Sequence, residues 1–305
     1  MNIVILGNKR KLLPVFNYCK SKQYNIKVIG DNQLRHENDA IELASIAQEY
    51  SDSLFYDRFP DQIINMKEKE KFLKLETKLN NMFGLEGDYD NSFFYSKKKQ
   101  DEVFKKLNIP TVPNVSNKVI MKTDLSGGTG FKVVDRKNAT GFYQDWVDID
   151  YIVSCHFYSN GLHWYHLNNH VIKYINNCPE KSLTPYELIE GDKNIIETSI
   201  KKLSQEIDIK NKLFGWQFMK SKDGTLYSID FNLRPFGGFD MGSYDTDVSD
   251  QNWCDYIFGK TPPEIISYTD TIECFYLKQK QFGYSTLNRI KRKKQLDFKV
   301  NAYNV

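Results

Sequence analysis

The run Tyr227-Ser-Ile-Asp230-Phe-Asn232-Leu-Arg234-Pro sets a carboxylate, a carboxamide and a guanidinium at alternate positions. Alternate residues of a β-strand share a face, so Asp230, Asn232 and Arg234 are predicted to point one way and Ile229, Phe231 and Leu233 into a core. Asp and Asn are poor strand formers, and two of them at consecutive same-face positions call for a task other than folding. Hard oxygen donors side by side suit Mg²⁺, and an arginine beside them suits an anion. Upstream, Phe214-Gly-Trp-Gln217-Phe-Met is joined to this strand across Asp223-Gly224, a strong hairpin signal. The pairing places Gln217 where it can offer a third oxygen.

A second feature is the turn Lys122-Thr-Asp-Leu-Ser126-Gly127-Gly128-Thr-Gly130. Glycines let backbone N–H groups approach a phosphate, and a lysine adds a point charge. No Gly-Lys-Ser/Thr follows at the spacing of a Walker A loop, and such a turn is also found in plain flexible hairpins. His156, His163, His166 and His170 cluster on one predicted hairpin. Their spacing does not make a metal site, and surface or packing roles are expected for them.

These residues need a scaffold. Residues 2–6 and 26–29 read as strands around a helix at 12–21, the opening of a parallel α/β sheet. Helices are predicted at 39–50, across much of 61–82, at 97–107 and at 194–207, the third stopping before Pro110. Gly84 to Asn91 is a polar break. Beyond it the pattern turns to antiparallel hairpins: 119–122 with 131–134, 151–158 with 162–169, and 213–219 with 226–231. Two lobes of this kind hold a ligand between them.

The 305 residues suit two or three small lobes. Hydrophobic residues make up 40% and charged residues 27%, and a net charge of +3 is too small to argue for nucleic acid. No apolar run approaches a membrane span. Five scattered cysteines without a C-x-x-C pair exclude a disulfide framework and fit a reducing cytoplasm.

Residues 90–240 resemble the ATP-grasp superfamily, in the carbamoyl-phosphate-synthetase-like and amino-acid ligase branch. Ser96-Lys97 followed by Leu-Asn-Ile-Pro110-Thr-Val-Pro is similar to the first nucleotide lysine and its trailing segment. Lys122 is similar to the second lysine, and Ser126, Gly127, Gly128 and Gly130 to the mobile phosphate loop. Gln144-Asp145-Trp146-Val147 resembles the linker whose backbone pairs with adenine, and Asp150 falls near the acid that holds the ribose. Gln217, Asp230 and Asn232 resemble the metal ligands, with Asp230 where Glu is usual, and Arg234 the basic residue beside the γ-phosphate.

The resemblance implies an α/β chain: a Rossmann-like pre-ATP-grasp lobe over 1–90, a two-lobed α+β ATP-grasp domain over 91–260, and a C-terminal extension over 261–305. It implies ATP with Mg²⁺, or Mn²⁺ in its place, and a carboxylate activated as an acyl phosphate for attack by an amine. Lys122 and Arg234 would be the catalytic pair. Small-molecule substrates are the expected partners, with neither nucleic acid nor membrane and with a homodimer compatible. Two rivals are a non-catalytic ATP-binding module and a dinucleotide oxidoreductase, though Gly7-Asn-Lys-Arg lacks the later glycines of a dinucleotide loop. The basic run 288–294 is expected to be a solvated helix end.

Overall fold

The computed structural model of the protein describes residues 1–6, 9–29, 62–65, 76–77, 92–122, 131–233, 253–278 and 284–305. The chain divides into two compact units, Met1–Asn91 and Ser92–Val305.

In the first unit, β1 (Asn2–Leu6) is a run of apolar residues with Ile3, Val4, Ile5 and Leu6 wholly buried. Such a strand needs cover on both faces and partners on both edges. It pairs in parallel with β2 (Asn25–Ile29) on one side and β3 (Gln62–Asn65) on the other. Helix α1 (Lys9–Ser21) links β1 to β2 and buries Val15 and Cys19, one turn apart. Strand β3 corrects the sequence reading, which made most of 61–82 helical; among the described residues only Glu76 and Thr77 are helical there. The charge-rich stretch suggested a helix, but the short β-branched pair Ile63-Ile64 supplies the edge strand that β1 requires. The helix expected at 39–50 and the break at Gly84 to Asn91 lie outside the described residues.

The second unit opens with α2 (Ser92–Tyr95) and α3 (Lys97–Lys106). Ser96 caps α3, its hydroxyl accepting from the Lys99 N–H at 3.2 Å. The helix ends where Asn108 takes a positive φ of 51°, with the Ile109 N–H bonded to the Phe104 carbonyl. A small antiparallel sheet follows, β5-β4-β6, from β4 (Lys118–Lys122), β5 (Phe131–Asp135) and β6 (Phe142–Asp145).

The large sheet comprises eight described strands. Its order is β11-β10-β7-β8-β9-β12-β13, with β14 also pairing β8. The strands are β7 (Ile149–Ser159), β8 (His163–Ile175), β9 (Cys178–Thr184), β10 (Lys212–Ser221), β11 (Leu226–Asn232), β12 (Ile265–Lys278), β13 (Tyr284–Lys299) and β14 (Asn301–Asn304). Gly224, at φ +91°, makes the β10–β11 turn. Residues 265–278, 284–299 and 301–304 are therefore strands of this same sheet. The basic run 288–294 lies within β13 and is not a helix end: cross-strand pairing with β12 and the Arg292–Glu273 ion pair hold it extended. Cationic side chains suit a strand at the end of a sheet, where they deter edge-to-edge association.

One face of the large sheet is aromatic. Trp216 stacks on Phe104 of α3 at 5.3 Å and meets Phe231 at 5.6 Å, while Phe214 lies 5.1 Å from Phe157 and 4.8 Å from Trp164. Helix α4 (Glu190–Ser204) buries Ile196, Ile200 and Leu203. Its first turn is fixed by Asp192, which is 2.5 Å from Lys220 Nζ and also accepts the Tyr151 hydroxyl. A carboxylate at a helix start is favoured by the helix dipole, and here it also neutralises a lysine that is almost out of solvent. Asp192→Ala leaves that ammonium without its partner and is expected to cost about 3–5 kcal/mol. Urea unfolding checks the loss.

Candidate active site

Strand β11 carries Asp230 and Asn232, and its outer edge is closed by α3. The amide of Gln100 grips the residue between them: Nε2 donates to the Phe231 carbonyl at 2.7 Å, and Oε1 accepts the Phe231 N–H at 3.1 Å. Nothing in the sequence reading singled out Gln100. Its signal was a helix whose buried positions, Gln100, Asp101 and Phe104, are mostly polar, which implies dedicated partners.

With Gln100 holding the strand, Lys97 one turn earlier reaches Asp230, Nζ to Oδ1 at 2.7 Å. Asp230 Oδ2 accepts from Asn232 Nδ2 at 3.0 Å. Gln217 stands directly opposite Asp230 in the register, and its Nε2 donates to Ser154 Oγ at 2.9 Å. Both amide nitrogens are thus engaged, which leaves the amide oxygens as the atoms that could ligate a metal. One carboxylate and two amide oxygens on neighbouring strands fit Mg²⁺, which takes few protein ligands and shares the rest with phosphates and water. Among the described residues no three His, Cys, Asp or Glu side chains group as a metal site.

A bulge makes this arrangement possible. On β10 the register passes from Gln217 to Phe218, while on β11 it passes from Asp230 to Ser228. Ile229 is the extra residue and is only half-buried, which corrects the expectation that it shares the core face with Phe231 and Leu233. Ser228 takes the inward place and accepts the Trp216 indole N–H at 2.7 Å. Without the extra residue, strict alternation from Leu226 would turn Asp230 into the aromatic core; bulges re-aim side chains in this way.

Lys122, at the end of β4, joins the group. Its Nζ donates to Gln144 Oε1 at 2.6 Å, and Gln144 Nε2 donates to Asp101 Oδ1 at 3.0 Å. Burial, then the Lys97 cation, pushes the Lys122 ammonium down to about 8, against the opposing pull of Asp230 and Asp101. Gln144 thus links strand to helix through its side chain. The Asp145 carboxylate accepts the N–H groups of Val115 and Ser116 and pairs with Arg136 at 3.2 Å, so that side chain holds the small sheet together. Trp146 and Val147 lead from β6 toward β7, with Lys118 Nζ 4.7 Å from the Trp146 ring centroid. Asp150 is exposed near the start of β7.

Ser126, Gly127, Gly128, Gly130 and Arg234 lie outside the described residues. Three of the histidines are interior, not on the surface: His156, His166 and His170 are buried, while His163 is half-buried. His166 stacks on Phe157 at 4.8 Å, on the aromatic face.

No protein-family model matches the sequence, and no curated protein matches it. Solved structures do match the fold. An L-amino acid ligase from Bacillus licheniformis aligns over 100% of this chain and 93% of its own, at TM-score 0.68 and 11% identity. N5-carboxyaminoimidazole synthetase from Staphylococcus aureus, complexed with ADP, aligns over 90% and 81%, at TM-score 0.65 and 15% identity. Biotin carboxylase from Campylobacter jejuni, in a complex with β,γ-ATP, aligns over 90% and 75%, at TM-score 0.57 and 13% identity.

Two measurements probe the site as built. Gln100→Ala leaves the Phe231 N–H and carbonyl without their buried partner, which should cost about 2–4 kcal/mol in urea unfolding. If the site holds a polyphosphate, binding of ATP as the probe should weaken with it about tenfold, because the strand under Asp230 loses its clamp; unchanged affinity would confine Gln100 to folding. The second concerns Lys122. Its depressed value means that the unfolded chain holds more protons than the folded one between about pH 8 and 10.5, so the burial penalty is relieved as pH rises through that window. Phosphates favour the ammonium, so if the site holds a polyphosphate, affinity for ATP as the probe should fall as pH rises above about 8. Calorimetric titration should show this break in the native protein and not in Lys122→Arg.

Proposed function

Starting from the ATP-grasp fold that this chain shares with those enzymes, we propose that it is an ATP-dependent ligase that activates a carboxylate as an acyl phosphate and joins it to an amine. The observation that carries the reading is the convergence of two lysines, Lys97 and Lys122, on one carboxylate, Asp230, backed by two amide oxygens. That is a phosphate site with a place for a divalent cation, and Lys97 stands against Asp230 as a cation would.

In this reading Lys97 turns from Asp230 to the nucleotide phosphates, and Lys122 donates to them from the opposite sheet. Asp230, Asn232 and Gln217 would hold Mg²⁺, which would supply charge neutralisation to the polyphosphate. The Gln144–Val147 backbone borders adenine and Asp150 the ribose. Ser126, Gly127, Gly128 and Gly130 would close over the phosphates, and Arg234 would neutralise the transferring group. A carboxylate oxygen attacks the γ-phosphorus and ADP leaves. The amine nitrogen then attacks the acyl carbon, phosphate leaves, and the nitrogen gives up one proton. Because the phosphoryl group passes through a loose transition state, positioning and charge account for most of the catalysis. Amino acids are the substrates proposed, a choice supported by likeness to an L-amino acid ligase.

The test is phosphate release from ATP and Mg²⁺ with pooled amino acids, run beside Lys122→Ala and Asp230→Asn. Amino-acid-dependent release that falls at least about a hundredfold in both variants is the expected result, with hydroxylamine trapping the acyl phosphate as a hydroxamate. ATP binding without release for any carboxylate would favour a binding module, and absence of ATP binding would end the proposal.

A further inference from the structure

The face that carries Asp230 remains polar well beyond the metal ligands. Across the strands the register runs from Asp230 to Gln217, Ser154 and His170, and Thr184 is hydrogen-bonded to the last. Two residues along, a parallel row runs from Asn232 through Gly215 to His156 and Asn168. Residues paired across a sheet share a face, so these side chains form one continuous tract. Ser154, His156, Asn168, His170 and Thr184 are each no more than 3% exposed.

A sheet face this deep is normally apolar, because polar groups taken from water cost free energy unless they are bonded. Here they are bonded in pairs: Gln217 to Ser154 at 2.9 Å, His156 Nδ1 to Asn168 Oδ1 at 2.8 Å, and His170 Nδ1 to Thr184 Oγ1 at 2.7 Å. Each pair fixes a side chain by one end. For His170, Nε2 is the ring nitrogen without a partner among the described residues. Gly215 contributes no side chain between Asn232 and His156; a glycine inside a strand often marks a close approach.

Past Asp230, no described residue of the tract carries a formal charge. Burial drives the His170 imidazolium down to about 4 and that of His156 well below its ordinary value, so both rings are neutral at physiological pH. A charged substrate group seated here would be buried without a counter-charge from the described residues of the tract, and an apolar one would strand buried hydrogen-bonding groups; both are penalised.

We infer that this tract is the subsite for the second substrate, and that it selects an uncharged hydrogen-bonding group, a hydroxyl or carboxamide, over acidic, basic and aliphatic ones. The inference rests on the ligase reading. His170 is its principal recognition residue, and Thr184 positions the His170 ring.

The experiment measures phosphate release by the native protein at saturating ATP and Mg²⁺, with Ser, Thr, Asn and Gln set against Asp, Glu, Lys, Arg, Ala and Leu, each supplied singly. The neutral polar group should exceed the others at least about tenfold in kcat/KM. His170→Phe and Thr184→Val should raise the KM of the best amino acid about tenfold, leave the KM of ATP unchanged, and erase the margin over Ala and Leu. Equal or better activity with charged amino acids overturns the inference, as does an unchanged KM in a folded His170→Phe, or release driven by none of the four neutral polar amino acids. ATP-induced change in melting temperature, followed in parallel, separates the two claims. If that change persists while selectivity fails, only this inference falls; if ATP produces none, the ligase reading falls and takes the inference with it.

Discussion

The two hydrogen bonds between the Gln100 amide and the Phe231 backbone are the constraint on which the site depends. An edge strand offers unpaired N–H and C=O groups, and a side-chain amide has the donor and acceptor to close them at one residue. Here that residue lies between Asp230 and Asn232. The same bonds fix the position of α3 against β11, and the helix period then carries Lys97, three residues earlier, to the same end of the helix. Gln100 Nε2 also reaches the Phe93 carbonyl at 3.1 Å, drawing in the short helix α2. Beyond the site, the Ser228 N–H bonds the Pro110 carbonyl at 2.7 Å, so the chain leaving α3 keeps to the same strand edge.

The bulge at Ile229 completes what the clamp begins. The large sheet serves two environments: an aromatic face packed on α4 and Phe104, and a polar face with the ligating groups. A strand that obeyed strict alternation would have to commit Ser228 and Asp230 to the same side. The extra residue lets Ser228 satisfy the Trp216 indole inside the core while Asp230 faces outward. Packing and chemistry are thus separated within three residues, at the point where β11 and β10 present their oxygens together.

Much of this was legible in the sequence, because the signals were local. The α3 start at Ser96-Lys97, the Asp223-Gly224 turn and the strand bearing Asp230 and Asn232 each depend on residues within one element. What was not legible depended on residues distant in the chain. The bulge is a relation between two strands, so Ile229 read as a core residue. Gln100 and Phe231 are 131 positions apart, and nothing near Gln100 announces a backbone partner. Asp145 lay in a segment read for its backbone, and its carboxylate proved to organise the Val115–Ser116 turn. Lysine-rich composition misled at 288–294, since charge density marks exposure and an edge strand can be as exposed as a helix; at 62–65 the strand is short and its partner β1 lies far back in the chain. The glycine turn and Arg234 stay as sequence readings, being outside the described residues.

Electrostatics explains why this constellation suits a polyphosphate better than a structural ion pair. A lone Lys97–Asp230 bridge would be complete in itself. Lys122 alters the balance: it is drawn into the same partly buried space, where the Gln144 amide oxygen is its direct partner among the described residues, and Lys97 repels it. A fold selected for stability alone would replace such a lysine by an apolar side chain, because burying a second cation beside the first is unfavourable. The free energy stored in that repulsion is released when several negative charges arrive together, as they do with a nucleotide. A divalent cation at Asp230 would further displace Lys97 toward those charges. On the ligase reading proposed above, the arrangement would be least favourable when empty and most favourable with both nucleotide and metal present.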